Sequence, residues 1–283
     1  MTQAESVDEI IAHGKTLADQ QQYVEALDVY DRALAIDPNS VKAWHSKANA
    51  LFNLQRYQEA QVAYEHVLTL DPNNVTAWVD KGDTLYCLER YQEALAAYDR
   101  ALTLNPNDAT AWNDKGLVLS NLNRDQEALA AYDRALAIDP NYSAAWVRKG
   151  IVSYALNRYQ DTVAACDRAT TLDANNAVAW NLKSSALHRL HHDEEALIAA
   201  DRALAIDPNN ALAWGNKGFA LASLNGRMEE ALAPFERATA LNPNDADAWS
   251  GKTTVLWSLG RKREAKEAKQ RAKALGAKVP WFI

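Results

Sequence analysis

The side chains best suited to chemistry are few. His188, His191 and His192 stand directly before Asp193, Glu194 and Glu195. His188 and His192 are four residues apart, the minimal spacing for a metal pair if one helix carries both. No HExxH pattern or cysteine accompanies them, so a solvated turn and no bound metal are expected. The two cysteines, Cys87 and Cys166, lie far apart and lack ligand spacing. They form no disulfide framework and suit a reducing compartment, here expected to be the cytoplasm. No phosphate loop, GxGxxG or nucleophile–base constellation is visible, and carboxylates recur at regular surface positions instead of converging. The expectation is a chain with no catalytic residues and no cofactor.

What the chain does carry is a period. Tryptophans fall at Trp44, Trp78, Trp112, Trp146, Trp180 and Trp214, each 34 residues from the last, and Trp249 comes one residue late. The extra residue falls in Leu224-Asn225-Gly226-Arg227-Met228, and an insertion placed in a turn leaves the flanking helices in phase. Other positions keep step. Counted from the tryptophan, a small residue stands at +4 (Gly82, Gly116, Gly150, Gly218), leucine at +7 (Leu85, Leu119, Leu187, Leu221) and tyrosine at +13 (Tyr57, Tyr91, Tyr159). Alanine comes at +16 (Ala60, Ala94, Ala128, Ala196), tyrosine at +20 (Tyr64, Tyr98, Tyr132) and proline at +28 (Pro72, Pro106, Pro140, Pro208). The start of the chain fits the same frame with Ile10 in place of tryptophan.

Apolar spacings of three, four and seven predict two amphipathic helices per repeat. The small residues let helix axes approach closely. The Asp-Pro-Asn step ends the second helix, because proline breaks the hydrogen-bond ladder and Asn or Asp can cap the next helix. Each hairpin leaves one apolar face that only stacking can cover. The expected fold is therefore all-α, a right-handed α-solenoid of about eight helix–turn–helix repeats at 7–40, 41–74, 75–108, 109–142, 143–176, 177–210, 211–245 and 246–279. Residues 1–6 form an extension before it and 280–283 an apolar tail after it.

Over almost its whole length the pattern resembles the tetratricopeptide repeat family. The resemblance implies a protein-binding scaffold or assembly factor whose first helices line a concave groove holding a protein or peptide partner. The groove positions it implies supply His45, Asn49, Phe52, Asp83, Tyr86, Asn113, Asn121, Arg148, Tyr154, Asn181, His188, Arg189, Asn216, Phe219 and Trp257. Aromatics would give contact area, and amides would hydrogen-bond a peptide backbone. One departure from the family is general: position +3 is lysine (Lys47, Lys81, Lys115, Lys149, Lys183, Lys217, Lys252), not leucine. Acidic residues recur late in the second helix, from Asp31 and Glu65 to Glu236, so the lysine heads are expected to meet these carboxylates or water. The lysine just after the tryptophan that marks chaperone-tail binders of the family is missing; His45, Val79, Asn113, Val147, Asn181, Gly215 and Ser250 stand there.

A net charge of −7 argues against phosphate-backbone binding, and no nucleic-acid partner is expected. No apolar run approaches the roughly 20 residues that span a bilayer, so no membrane partner is expected. Charge is unevenly spread: from Arg261 onward eight Lys or Arg face Glu264 and Glu267, a balance of +6 that leaves −13 for the remainder. That basic end reads as a polar cap for the stack. It is also a candidate for salt-sensitive head-to-tail self-association. The apolar tip Trp281, Phe282 and Ile283 is expected to fold back on the last helices or to enter a groove. Repeats 143–210 depart most from the pattern. Cys166 and Ala200 replace the +20 tyrosine and Ala174 the proline, with compensated packing expected and a hinge as the alternative. Pro234 is expected to bend its helix.

Overall fold

A computed structural model describes residues 5–277. Among them are sixteen α-helices and no strand, in two compact units divided between Pro140 and Asn141. The first unit holds α1 (Val7–Asp19), α2 (Tyr23–Ile36), α3 (Val41–Asn53), α4 (Tyr57–Leu70), α5 (Val75–Cys87), α6 (Tyr91–Leu104), α7 (Ala109–Asn121) and α8 (Asp125–Ile138). The second holds α9 (Ser143–Ala155), α10 (Tyr159–Leu172), α11 (Ala177–Arg189), α12 (Asp193–Ile206), α13 (Ala211–Ser223), α14 (Leu232–Leu241), α15 (Ala246–Ser258) and α16 (Lys262–Ala274). Within each unit every helix packs on its hairpin partner and each second helix on the first helix of the next repeat. The all-α repeat solenoid expected from the period is the fold the chain adopts.

Local sequence fixes the helix ends. Ser40, Asn74, Asp108, Asn176, Asn210 and Asp245 each accept the backbone N–H three residues on, which satisfies one orphan donor of a first helix. Just upstream, Asp37, Asp71, Asn105, Asp173, Asp207 and Asn242 accept the N–H two residues on, which closes the turn. Inside the hairpins the turn takes one residue in the left-handed region: Gln21, Gln55, Glu89, Asn123, Asn157, His191 and Gly260, with Gly226 in the lengthened turn. Most are not glycine, which costs on the order of 1 kcal/mol each and leaves no glycine signature in the sequence.

The tryptophan is a strap as well as a core residue. Its indole N–H donates to the carbonyl six residues back, at Pro38, Pro72, Pro106, Pro208 and Pro243. Trp180 makes the same bond to Ala174, so losing that proline costs no hydrogen bond, because only its carbonyl is used. The +3 lysine stands 4.9–5.6 Å from the tryptophan ring in seven repeats. It meets the preceding second helix in Lys47–Asp31, Lys115–Asp99 and Lys183–Asp167 at 2.6 Å, Lys217–Asp201 at 2.7 Å and Lys81–Glu65 at 3.0 Å. Ring and carboxylate together add roughly 1–2 kcal/mol per junction.

The core residue at +20 is coupled to position +2 of the next repeat. At two junctions a large +20 residue meets a small +2 residue: Tyr30 hydrogen-bonds Ser46, and Phe235 lies against Gly251, where a Cβ would fall 2.4 Å from the ring. In repeat five the relation inverts. Cys166 is small, and Leu182 from the next first helix fills the space: a Cβ on Gly150 would meet Leu182 Cδ2 at 3.2 Å and Cys166 Sγ at 3.4 Å. On Gly14, Gly82 or Gly116 it would strike a tyrosine ring at 2.5–2.7 Å. Repeat six has Ala200 at +20 and Asn216 at +2 of the next repeat, and the Asn216 amide donates to Ser185 Oγ at 2.7 Å and Asn181 Oδ1 at 2.8 Å. Packing in these repeats is compensated, and Cys166 and Ala200 are both fully buried.

Pro234 does not bend its helix. The preceding residues form i→i−3 turns (Glu230 to Arg227, Ala231 to Met228, Leu232 to Glu229), and α14 starts at Leu232, which places the proline in a first turn where its missing N–H is tolerated. The helix is shortened to 10 residues instead of 14. The apolar tip at Trp281, Phe282 and Ile283 lies outside the described residues.

The +20/+2 coupling makes a test. Cys166→Tyr alone overpacks against Leu182, and Leu182→Ser alone leaves space beside Cys166, each costing about 1–3 kcal/mol. The double variant recreates the Tyr30–Ser46 pairing, so chemical unfolding should show it more stable than the sum of the two losses by at least about 1 kcal/mol.

Candidate functional site

Side chains at the positions that vary from repeat to repeat converge on one cleft in each unit. In the first unit a cleft of 240 Å³ is lined by Asn49, Phe52, Asn53, Tyr64, Asp80 and Asp83, from α3, α4 and α5. In the second, a cleft of 310 Å³ is lined by Tyr154, Ser185, His188, Arg189, Asn216, Phe219 and Asp247, from α9, α11, α13 and α15. Successive first helices lie side by side here (α11 against both α9 and α13, α13 against α15), so residues 30 or more apart in sequence share one surface.

The tyrosines that fill the core also hold this surface in place. Tyr64 and Tyr98 run up from the second helices, and their hydroxyls donate to Asn49 Oδ1 and Asp83 Oδ1, both at 2.5 Å. Burial pushes both phenols well above their usual range, so they remain donors. His45 Nε2 lies 2.8 Å from Asp80. Burial raises the Asp83 carboxyl to about 7; the Tyr98 hydrogen bond opposes this, and Asp114 and Asp80 add to it. Phe52 sits edge-on to Tyr57, and Tyr86 tilts against Tyr91 with its hydroxyl 3.5 Å from the Asn121 amide. The first cleft is thus acidic with an aromatic edge.

The second cleft is mixed in sign. His188 Nδ1 is 2.6 Å from Asp193 Oδ1, and since a carboxylate only accepts, Nδ1 carries the proton. Phe219 stacks on the same imidazole at 5.8 Å and meets Phe235 edge-on. The Arg189 guanidinium lies 5.3 Å over Tyr159, which itself packs against Tyr154. Asp247 supplies the opposite charge. α11 ends at Arg189, so His188 and His192 do not share a helix, and His192 faces Glu195 instead. Among the described residues no group of three or more His, Cys, Asp or Glu is placed to hold a metal.

Of the residues expected to line the groove, Asn49, Phe52 and Asp83 meet in the first cleft and Tyr154, His188, Arg189, Asn216 and Phe219 in the second. His45, Tyr86 and Asn121 flank the first, and Asn181 supports Asn216 in the second. Arg148 is half-buried on α9. Two expectations need correction. Asn113 is fully buried, its amide donating to Asp114 Oδ1 at 2.9 Å, so a partner cannot touch it without opening the fold. Trp257 lines neither cleft; it faces the lysines of α16. The residues overlooked in the sequence are Tyr64 and Asp247. Tyr64 reads there as a core tyrosine, and only its pairing with Asn49 would have drawn attention to its hydroxyl.

Comparison with known proteins agrees with the repeat fold. The tetratricopeptide repeat family model matches residues 45–109, 79–143, 147–211 and 221–280, with further repeat matches at 14–55 and 199–233. No curated protein matches by sequence. Among solved structures, YrrB, described as a TPR protein with an unusual peptide-binding site, is 23% identical (TM-score 0.57, 65% of this chain and 95% of that one). The C-terminal part of a TPR repeat-containing protein from Cytophaga hutchinsonii is 16% identical (TM-score 0.70, 85% and 98%). A chain of the APC/C hetero-tetramer Cut9–Hcn1 is 16% identical (TM-score 0.62, 96% and 53%). At these identities the likeness concerns the fold.

Asp83 yields a pH prediction. Its folded pKa lies above the unfolded value, so the folded state holds the extra proton and this group's contribution to stability falls as pH rises from about 4 to about 7. Asp83→Asn mimics the protonated form and still accepts from Tyr98. The variant should match the parent near pH 4 and exceed it by roughly 1–3 kcal/mol at pH 8 in chemical denaturation. A constant difference across that range would show that burial does not shift this carboxyl.

Proposed function

The chain belongs to the tetratricopeptide repeat family, and from that premise we propose that it is a non-enzymatic protein-interaction scaffold that holds a peptide or protein segment against its first helices. The observation that carries this reading is the convergence of repeat-variable residues on the two clefts. Positions that obey the repeat are consumed by packing, straps and lysine bridges. The positions free to vary gather aromatic rings, amides and charges on the first-helix side of each unit. A flat polar surface would give a partner little to grip, whereas half-buried rings such as Phe52 and Tyr154 supply desolvated contact area next to hydrogen-bonding groups.

Charge suggests what each cleft prefers. Asp80 and Asp83 beside Phe52 suit a basic side chain of the partner, whose cation would also draw the proton off Asp83. Arg189 and Asp247 in the second cleft suit a polar segment of mixed sign. Cys87 and Cys166 are unpaired, which fits a reducing, cytoplasmic setting. Among the described residues no helix is long and apolar enough to cross a membrane.

Selection from a phage-displayed peptide library on the immobilised full chain tests the proposal. Selected peptides should be enriched in Lys or Arg, and Phe52→Ala combined with Tyr154→Ala should weaken them about tenfold or more, equivalent to at least ~1.4 kcal/mol. Peptides that bind the double variant as tightly as the parent would place the interaction elsewhere.

A further inference from the structure

The outer face of α16 differs from that of every other second helix. Elsewhere the residues at +13, +17, +20 and +24 receive the first helix of the next repeat and are mostly apolar, as in Tyr91, Leu95, Tyr98 and Leu102. In the last repeat all four are lysine: Lys262, Lys266, Lys269 and Lys273. The acid at +21 that would bridge the next repeat's lysine is Gln270. These five residues and Trp257 line a cleft of 460 Å³, and among the described residues no carboxylate lines it. Trp257 is 37% exposed within it, and the Lys262 amine stands 5.9 Å from its ring.

A cap requires a polar surface, but not one of a single sign. Lys262, Lys266 and Lys273, four and seven residues apart, repel along one stripe, where alternating Glu and Lys would attract. The rest of the chain avoids such loss: the arginine at +12 pairs with a carboxylate at +15 even in this repeat, as Arg261–Glu264 at 2.6 Å, and Arg263 pairs with Glu267 at 3.3 Å. A half-exposed indole is likewise of no use to a cap, but it serves as an anchor at an interface.

We propose that the Trp257–lysine face of α16 is a docking site for an acidic amphipathic helix of a partner protein, occupying the place a ninth repeat's first helix would take. The shape argument is continuity: within each unit this face of a second helix takes up a helix. The length fits, since 13 residues span about 20 Å, three to four turns of a partner. The charge argument excludes the chain's own repeats, whose first helices bring a lysine to this junction. The first helix of a second copy is a poor match too. α1 carries His13 and Lys15, and its acidic end is engaged in Lys42–Asp8 and Arg32–Glu5 at 3.3 and 3.2 Å. A partner helix with glutamates on one stripe and an apolar residue over Trp257 satisfies both features.

The test uses the full chain and a fluorescein-labelled, lactam-stapled helical peptide with one glutamate stripe and a central leucine, titrated by anisotropy. Binding is expected to weaken at least about tenfold with Trp257→Ala, with Lys266→Glu plus Lys273→Glu, and on raising salt, and to vanish for a control peptide whose stripe glutamates are replaced by lysine. The thermal midpoints of these surface variants should match the parent, which separates lost binding from lost fold. Phe52→Ala plus Tyr154→Ala should leave this binding intact, so it stands or falls separately from the two clefts. The proposal is overturned if the peptide does not bind, or if anionic vesicles or duplex DNA bind the same lysines more tightly. It is also overturned if light scattering shows dimers that Lys266→Glu plus Lys273→Glu dissolves, or if the peptide binds only after residues 278–283 are removed.

Discussion

The structure depends on one constraint: the volume enclosed between position +20 of a repeat, position +5 of its own first helix and position +2 of the next. In the first unit tyrosine fills it, and Tyr64 and Tyr98 donate their hydroxyls to the groove-side residues above, Asn49 and Asp83. In repeat five, Cys166 yields the space to Leu182, and in repeat six, where +20 is Ala200, the Asn216 amide at +2 bonds Ser185 at +5. Phe235 fills it again, now with Gly251 as the small partner. Because close-packed interiors tolerate neither a void nor an extra methylene cheaply, a change at one corner must be answered at another. Two of the three corners face the clefts. The surface a partner would meet is therefore tied to the interior, and its polar groups are oriented by residues that also carry the fold.

Around that core the repeat distributes its other duties among separate residues. The indole N–H needs only a carbonyl, which explains why Ala174 can stand where proline usually does. The +3 lysine lies between a ring and a carboxylate, so a single side chain links its own helix to the preceding one. Each such link is small in half-solvated surroundings, but it recurs along the chain, and stability in stacked repeats is close to a sum over neighbours.

Much of this is legible in the sequence because periodicity exposes any duty that every repeat performs in the same way. The tryptophan period, the small residue at +4, the Asp-Pro-Asn stop and the pairing of lysines with acids all recur at fixed intervals. What escapes is whatever depends on neighbours. Asn113 occupies the same position as His45 and Asn181 yet is fully buried. Trp257 shares its position with Phe52 and Tyr154, but the helix beside it offers lysines instead of tyrosine. Left-handed residues such as Gln55 and Glu89 carry no compositional mark, since the turn is imposed by the two helices it joins. Pro234 reads as a kink only while its helix is taken to start a turn earlier. The role of Leu182 emerges only when two repeats are considered together.

The lengthened turn around Gly226 shows that this chain can absorb an insertion between two helices of a hairpin. The junction between hairpins is less forgiving, and this sets the natural unit of exchange. Duplicating or deleting a block cut at the repeat boundary would bring a tyrosine to face Leu182, or Phe235 to face an aspartate. A block cut in the hairpin turn, from one second helix through the first helix after it, would carry Cys166 together with Leu182, or Phe235 together with Gly251. Lengthening or shortening this chain by recombination should therefore succeed most readily with the reading frame of its repeats shifted by half a period.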